Sequence, residues 1–116
     1  MAEARERLRV ARLALESGSP PAAVSLAYYA MLYAARAALS EEDRYAKTHS
    51  GTWQLFRDTF VAVQRFDPEL ATQAERIQEL RLGADYEARQ IAPGEAEAVV
   101  DLAARFLQAV NALYPD

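Results

Sequence analysis

Apolar residues recur at helical spacing in five segments of this chain, and no segment alternates between apolar and polar positions long enough to predict a β-strand. The segments are separated by glycine, proline or serine, which commonly end one helix and begin the next. Short connections between helices of similar length favour antiparallel neighbours. The pattern therefore predicts an all-α protein, an up-and-down antiparallel bundle of four to five helices.

The first two predicted helices are separated by a short break. The first covers about residues 2–16 and ends at Ser17-Gly18-Ser19, where Gly18 can adopt a left-handed conformation. The second runs from about Pro21 to Ser40 and carries one charge, Arg36, so we expect protein to surround most of it. A membrane span is the weaker alternative, because the run is rich in alanine and is interrupted by Arg36.

The second helix presents two different faces. Its apolar face, which we predict to be core, comprises Val24, Tyr28, Met31, Ala35 and Ala38. Tyr29, Tyr33 and Arg36 share the other face with Ser25. The two tyrosines either pack within the bundle with their hydroxyls at its rim, or meet a second subunit, since Tyr and Arg are favoured in interface centres. Arg36 either extends to solvent at the helix end or bonds to a specific partner.

The remaining three helices each have one apolar stripe. In the third, the stripe consists of Trp53, Phe56, Phe60 and Val63, which we predict to be buried. Asp67-Pro68 predicts the start of the fourth, with Leu70, Ala74, Ile77 and Leu80 facing inward and an end made uncertain by Gly83. Pro93-Gly94 begins the fifth, whose stripe is Val99, Leu102, Phe106, Val110 and Leu113.

Composition narrows the class of protein. A length of 116 residues fits one domain spanning 1–116. The net charge of −4 argues against extended DNA binding, although a local basic patch can still hold a nucleotide or a short RNA. There are no cysteines, and the first ten residues do not resemble a signal peptide, so we expect a cytoplasmic protein.

His49 is the only histidine, and it lies in the segment AKTHSGTW. Thr48 or Ser50 can cap the third helix and leave backbone N–H groups pointing outward, where an anion is attracted. The interpretation that the local sequence favours is a capping loop that carries a surface histidine. With Arg44 and Lys47 close by, the alternative is a phosphate site in which His49 exchanges a proton near neutral pH.

A second candidate group lies in ELRLGADYE. Arg81 and Asp85 are four residues apart and share a helix face, with Tyr86 next in the chain. An exposed ion pair is the default expectation, and a buried polar network with Arg36 is the alternative. One histidine with no Glu-x-x-His pair predicts no metal site, and we find no nucleophile–base triad or phosphate-binding glycine loop, so no cofactor is predicted.

Three stretches, AYYAMLYAARAAL, AKTHSGTWQLF and LRLGADYE, resemble the signature stretches of small stand-alone prokaryotic HEPN-domain proteins. The resemblance implies a bundle of four or five helices, usually a homodimer, often encoded beside a minimal nucleotidyltransferase in a toxin–antitoxin pair, with the HEPN member as the toxin. Many such proteins are metal-independent ribonucleases. They are marked by an arginine followed after four to six residues by a histidine, and the two copies face one cleft.

This sequence departs from that pattern, because Arg81 is followed by Asp85-Tyr86 and not by a histidine. Arg44 and His49 have a suitable spacing but lie before the third helix. A carboxylate such as Asp85 donates a proton at neutral pH only if its pKa is raised. Ribonuclease action therefore stays open.

The combined expectation is a HEPN subunit that interacts with nucleotide or RNA, as the toxin-like member of a HEPN/nucleotidyltransferase pair. The alternative is a non-catalytic helical module that dimerises and docks a nucleotidyltransferase; neither involves a membrane. The candidate residues are His49, Arg81 and Asp85 for catalysis, Arg36, Arg44, Lys47, Thr48 and Ser50 for phosphate, and Tyr29, Tyr33 and Tyr86 for a dimer or cleft face.

Overall fold

The computed structural model describes residues 1–86 and 90–115, except for the side chains of residues 84–86. Within these ranges the chain forms five α-helices and one π-helical turn, and no strand is assigned. The elements are α1 (Ala2–Glu16), α2 (Pro20–Glu41), α3 (His49–Phe56), the π turn (Arg57–Val61), α4 (Pro68–Tyr86) and α5 (Pro93–Leu113). The predicted all-α bundle is confirmed.

Helix α2 is the centre of the bundle, in contact with α1, α3, α4 and α5. All five residues of its predicted apolar face are buried. By length and composition α2 could cross a membrane, but 61% of its most apolar stretch is buried against the other helices. The structure thus uses α2 as a core helix.

Several predicted helix ends are confirmed by local geometry. Gly18 has a φ of 75°, the left-handed conformation expected after α1. The side chain of Asp67 accepts a hydrogen bond of 2.9 Å from the backbone N–H of Glu69 at the start of α4. Helix α4 continues through Gly83 to Tyr86, which answers the question that the sequence left open.

The predicted stripe of the third helix is correct for Trp53, Phe56 and Phe60, which are buried, and wrong for Val63, which is 58% exposed. The reason is the π turn, where the N–H of Ala62 bonds to the carbonyl of Arg57, five residues back. The π turn ends at Val61, so Val63 lies in the turn that follows, where Gln64 has a φ of 63°.

Helix α4 is less deeply buried than its pattern predicted. Ala71 and Ala74 are buried, whereas Leu70, Ile77 and Leu80 are only half-buried. Small side chains allow α4 to approach α2 and α5 closely, and its larger apolar side chains then lie at the edge of the contact. The same edge carries the polar residues of the candidate site.

The exposed position of Val63 can be tested by truncating two residues that the sequence pattern treats alike. Phe60→Ala should lower the free energy of unfolding by about 3–5 kcal/mol, because it leaves a cavity beside Phe56. Val63→Ala, the matched control, should change it by less than about 0.5 kcal/mol because Val63 is exposed. Urea denaturation measures both, and comparable losses would contradict the exposed position of Val63 after the π turn.

Candidate functional site

The candidate site lies where α2, α3 and α4 meet, and it is built from the start of α3. Thr48 is the N-cap of α3, and its hydroxyl accepts a hydrogen bond of 2.9 Å from the N–H of Gly51. A Cβ at position 51 would lie 2.7 Å from the Thr48 oxygen, so glycine leaves room for this cap. Of the two capping residues that the sequence allowed, Thr48 and Ser50, the cap is Thr48, and it fixes His49 as the first residue of the helix.

The imidazole of His49 is half-buried against α2 and α4. Its ring centroid lies 5.7 Å from those of Tyr28 and Tyr29. Nδ1 lies 3.3 Å from the Tyr28 hydroxyl and 3.2 Å from Nε2 of Gln78. His49 is therefore part of a polar network, and the histidine that the local sequence placed on the surface is half-buried.

The other ring nitrogen of His49 is accessible. Nε2 has no hydrogen-bond partner among residues 1–86 and 90–115, yet in that part of the chain every buried side-chain nitrogen or oxygen has one. Nε2 must then reach solvent, where it can contact a ligand.

Arg81 is buried, with only 9% of its surface exposed, so the default expectation of an exposed ion pair is wrong for this residue. Its Nε donates a hydrogen bond of 3.1 Å to the side-chain oxygen of Gln78. The guanidinium carbon lies 5.2 Å from the ring centre of Tyr29 and 5.7 Å from that of Tyr28. Both rings shield the cation from water and attract it through their π faces. The side chains of Asp85 and Tyr86 lie outside the described residues.

Arg36 bonds to a specific partner, which decides between the two alternatives that the sequence left. Its Nε donates a hydrogen bond of 3.2 Å to the hydroxyl of Thr52. Thr52 is completely buried and donates its own proton to the carbonyl of Thr48 at 2.8 Å. This chain of bonds connects the cation of α2 to the N-cap of α3.

The site concentrates positive charge while its imidazole stays neutral. Burial lowers the pKa of His49 below its ordinary value, and the guanidinium groups of Arg36 and then Arg81 lower that pKa further. Burial also raises the pKa of the Tyr28 hydroxyl, which stays protonated. At neutral pH two cations therefore act beside an uncharged histidine, an arrangement that attracts an anion.

Arg44 and Lys47 do not join this network. Arg44 donates a hydrogen bond of 3.1 Å to the hydroxyl of Thr59 on the π turn. Arg44 and Arg36 both line a small cavity of about 80 Å³. Lys47 is exposed just before α3. The Arg44–His49 spacing in the sequence thus does not produce an arginine–histidine pair in the fold.

A cleft of about 370 Å³ opens beside His49, lined by His49, Ser50, Trp53, Glu75, Gln78 and Glu79. Glu75 forms an ion pair with Arg57. Trp53 is almost completely buried, so the accessible side chains of the walls are mainly polar, and the cleft is suited to a polar ligand. In the described ranges no group of three or more histidine or carboxylate side chains is arranged to hold a metal.

Tyr29 and Tyr33 have different roles despite sharing a face of α2. Tyr29 is half-buried between His49 and Arg81 and forms a wall of the site. Tyr33 lies beside Arg7 of α1, whose guanidinium carbon is 5.0 Å from its ring centre. Tyr33 is thus at the edge of the site, on a half-exposed surface.

The sequence reasoning missed Gln78 and Thr52 and treated Tyr28 and Trp53 as plain core. Gln78 lies three residues before Arg81, on the same helix face, and Thr52 lies three residues after His49. Those spacings were a usable signal. A buried tyrosine or tryptophan also requires a hydrogen-bond partner, and here Trp53 donates a hydrogen bond of 3.0 Å to the Tyr28 hydroxyl.

With this geometry established, comparison with known proteins identifies the family. The sequence model of the HEPN domain family matches residues 1–113 of this chain. The chain belongs to the HEPN family. It is 33% identical to a UPF0332 protein of Gloeobacter violaceus over 110 residues, which are 93% of this chain and 87% of that protein.

A second relative, from Methanocaldococcus jannaschii, is named as a candidate toxin. It is 36% identical over 76 residues, which cover 65% of this chain and 52% of that protein. The resemblance inferred from the three sequence stretches is confirmed at the level of the family.

The electrostatic origin of the His49 pKa can be tested because the chain has a single histidine. Arg36→Gln should raise the pKa of His49, since it removes the cation that lowers this pKa most, and NMR titration of the imidazole measures the change. Arg44→Gln is the matched control, because Arg44 bonds to Thr59 and should leave that pKa unchanged. Equal pKa values in wild type and Arg36→Gln would contradict the charge arrangement.

Proposed function

We propose that this HEPN protein is a toxin-like subunit that binds RNA by holding one phosphodiester group at Arg81, Arg36 and His49. The observation that carries the proposal is the connection of the buried Arg81 through Gln78 to His49, whose accessible imidazole nitrogen lies beside a cleft that His49 and Gln78 line.

The charges of the site support a phosphate ligand. A guanidinium group can donate two parallel hydrogen bonds to phosphate oxygens, and such bonds are stronger when the site excludes water. Two guanidinium groups influence His49, although the whole chain has a net charge of −4. The attraction is therefore local, which favours a short segment of RNA over a long nucleic acid.

The cleft beside His49 supports RNA as the source of that phosphate. Single-stranded RNA exposes the hydrogen-bonding edges of its bases, and the accessible side chains that line this cleft are mainly polar. The carboxylates of Glu75 and Glu79 line the same cleft and can accept hydrogen bonds from the edge of a base. The candidate-toxin relative is a further support for the toxin-like role.

The proposal is tested by incubating purified protein with a labelled RNA pool in EDTA, measuring binding and cleavage in the same samples. His49→Ala and Arg81→Ala should each weaken RNA binding by roughly tenfold or more, the usual effect of losing a charge-assisted contact. Arg105→Ala is the control, because this arginine of α5 pairs with Asp101 on an exposed surface. Equal binding by all four proteins would reject the phosphate site.

Cleavage that is lost in both site variants would assign metal-independent ribonuclease activity to the same residues. Binding without cleavage would assign a non-catalytic RNA-binding role.

A non-catalytic module that docks a minimal nucleotidyltransferase is the second candidate function. Two observations favour this second function. Nδ1 of His49 is already occupied by two partners, and no histidine follows Arg81 in the chain. One protomer then lacks a second imidazole for acid–base chemistry. Absence of RNA binding together with stable co-purification of a co-expressed short nucleotidyltransferase would favour this function.

We also propose that the protein is a homodimer that uses the surface around Tyr33. Tyr33→Ala should increase the monomer fraction in sedimentation equilibrium, because large aromatic side chains contribute most to interface energy. Tyr45→Ala is the matched control, since Tyr45 is 72% exposed and lies in the connection before α3. The same monomer fraction in both variants would exclude this surface as the interface.

A further inference from the structure

We infer that Gln78 is a positioning residue that fixes the tautomer of His49, with Nδ1 as an acceptor and the proton on Nε2, the nitrogen that reaches solvent. Two chains of hydrogen bonds converge on Nδ1, and each begins at a group that can only donate.

The first chain begins at Arg81. A guanidinium has donors and no acceptor, so the atom of Gln78 that lies 3.1 Å from Nε of Arg81 must be the amide oxygen. The amide NH₂ of Gln78 then faces His49, at 3.2 Å from Nδ1. An amide NH₂ can only donate, so Nδ1 must accept.

The second chain begins at Trp53, whose indole N–H donates a hydrogen bond of 3.0 Å to the hydroxyl of Tyr28. Tyr28 is completely buried, and among the described residues Nδ1 of His49, at 3.3 Å, is the acceptor available to its O–H. Both chains therefore deliver a proton donor to the same lone pair. Distances of 3.2 and 3.3 Å are at the long end for hydrogen bonds, as expected when two donors share one acceptor.

Protonation of His49 would place an N–H at Nδ1 against these donors. If the amide oxygen of Gln78 faced Nδ1, it would accept a hydrogen bond from the protonated nitrogen and raise the pKa of His49. The hydrogen bond from Arg81 holds that oxygen away from His49. The charged groups that face the imidazole from α2 and α4, Arg36 and Arg81, also oppose its protonation. The carboxylates at the cleft, Glu75 and Glu79, lie on the accessible side.

The fixed tautomer defines what the site offers to a ligand. Nε2–H is a donor, as are the guanidinium groups, so the accessible side of His49 matches an anionic oxygen and does not abstract a proton. This consequence rests on the proposed function, in which the oxygen belongs to an RNA phosphodiester. The tautomer itself does not depend on RNA.

Nitrogen-15 NMR of the single histidine tests the inference in the free protein. In wild type, the coupling pattern should assign the proton to Nε2 and the unprotonated nitrogen to Nδ1. Gln78→Glu keeps the shape of the side chain and its bond with Arg81 but replaces the NH₂ by a carboxylate oxygen. The proton should then move to Nδ1, and the pKa of His49 should rise above the wild-type value.

Gln108→Glu is the matched control, because it makes the same charge change at an exposed position of α5 and should leave the tautomer and the pKa unchanged. A proton on Nδ1 in wild type would overturn the inference. So would an unchanged tautomer in Gln78→Glu, which would assign the positioning role to Tyr28 alone.

The RNA assay keeps the two proposals separable. The expected tautomer without RNA binding would reject the proposed function and leave the role of Gln78 intact. RNA binding with the proton on Nδ1 would reject the role of Gln78 and leave the proposed function intact. If both proposals hold, Gln78→Glu should weaken RNA binding, because its carboxylate neutralises part of the cationic site and withdraws the Nε2 donor.

Discussion

The buried guanidinium of Arg81 imposes the strictest requirement on this fold. A cation removed from water is tolerated only where donors, acceptors and polarisable surfaces replace its hydration. Here α2 supplies two tyrosine rings and α4 supplies the amide oxygen of Gln78. Because these partners belong to two helices, α4 can rest against α2 in few positions. The same amide lies within hydrogen-bond distance of His49, so Arg81 is also connected to the first residue of α3.

The packing of the bundle allows that polar cluster to exist at its edge. The centre is filled by alanines of α2 and by an aromatic group in which Phe56 contacts Phe60, Phe66 and Phe106. This dense group holds α3 and the π turn rigidly against α5. Tyr28 and Trp53 lie between the two regions. Their rings pack with the core while their polar atoms bond to each other and to His49.

In the candidate site of this HEPN protein, the buried cation and the imidazole come from different helices. In the family pattern, arginine and histidine follow one another within a few residues, whereas here Arg81 belongs to α4 and His49 to α3. Physical chemistry requires only that both groups reach one ligand, and the fold can satisfy that from distant sequence positions. Arg44 illustrates the converse, because it is near His49 in the chain and bonds to Thr59 on the π turn.

Periodicity and capping chemistry are local, and for that reason the sequence alone determined the number of helices, most of their ends, the buried face of α2 and a cap of α3 at Thr48 or Ser50. It also singled out His49 as the only histidine, and the family resemblance made Arg81 a candidate. It could not give the exposure of Val63, because the π turn ends before this residue without a clear residue signal. Nor could it reveal the connection of His49, Gln78 and Arg81, since those bonds join separate helices. Only tertiary packing decided them, because the donor and acceptor roles of an amide and an imidazole depend on which groups the fold brings beside them.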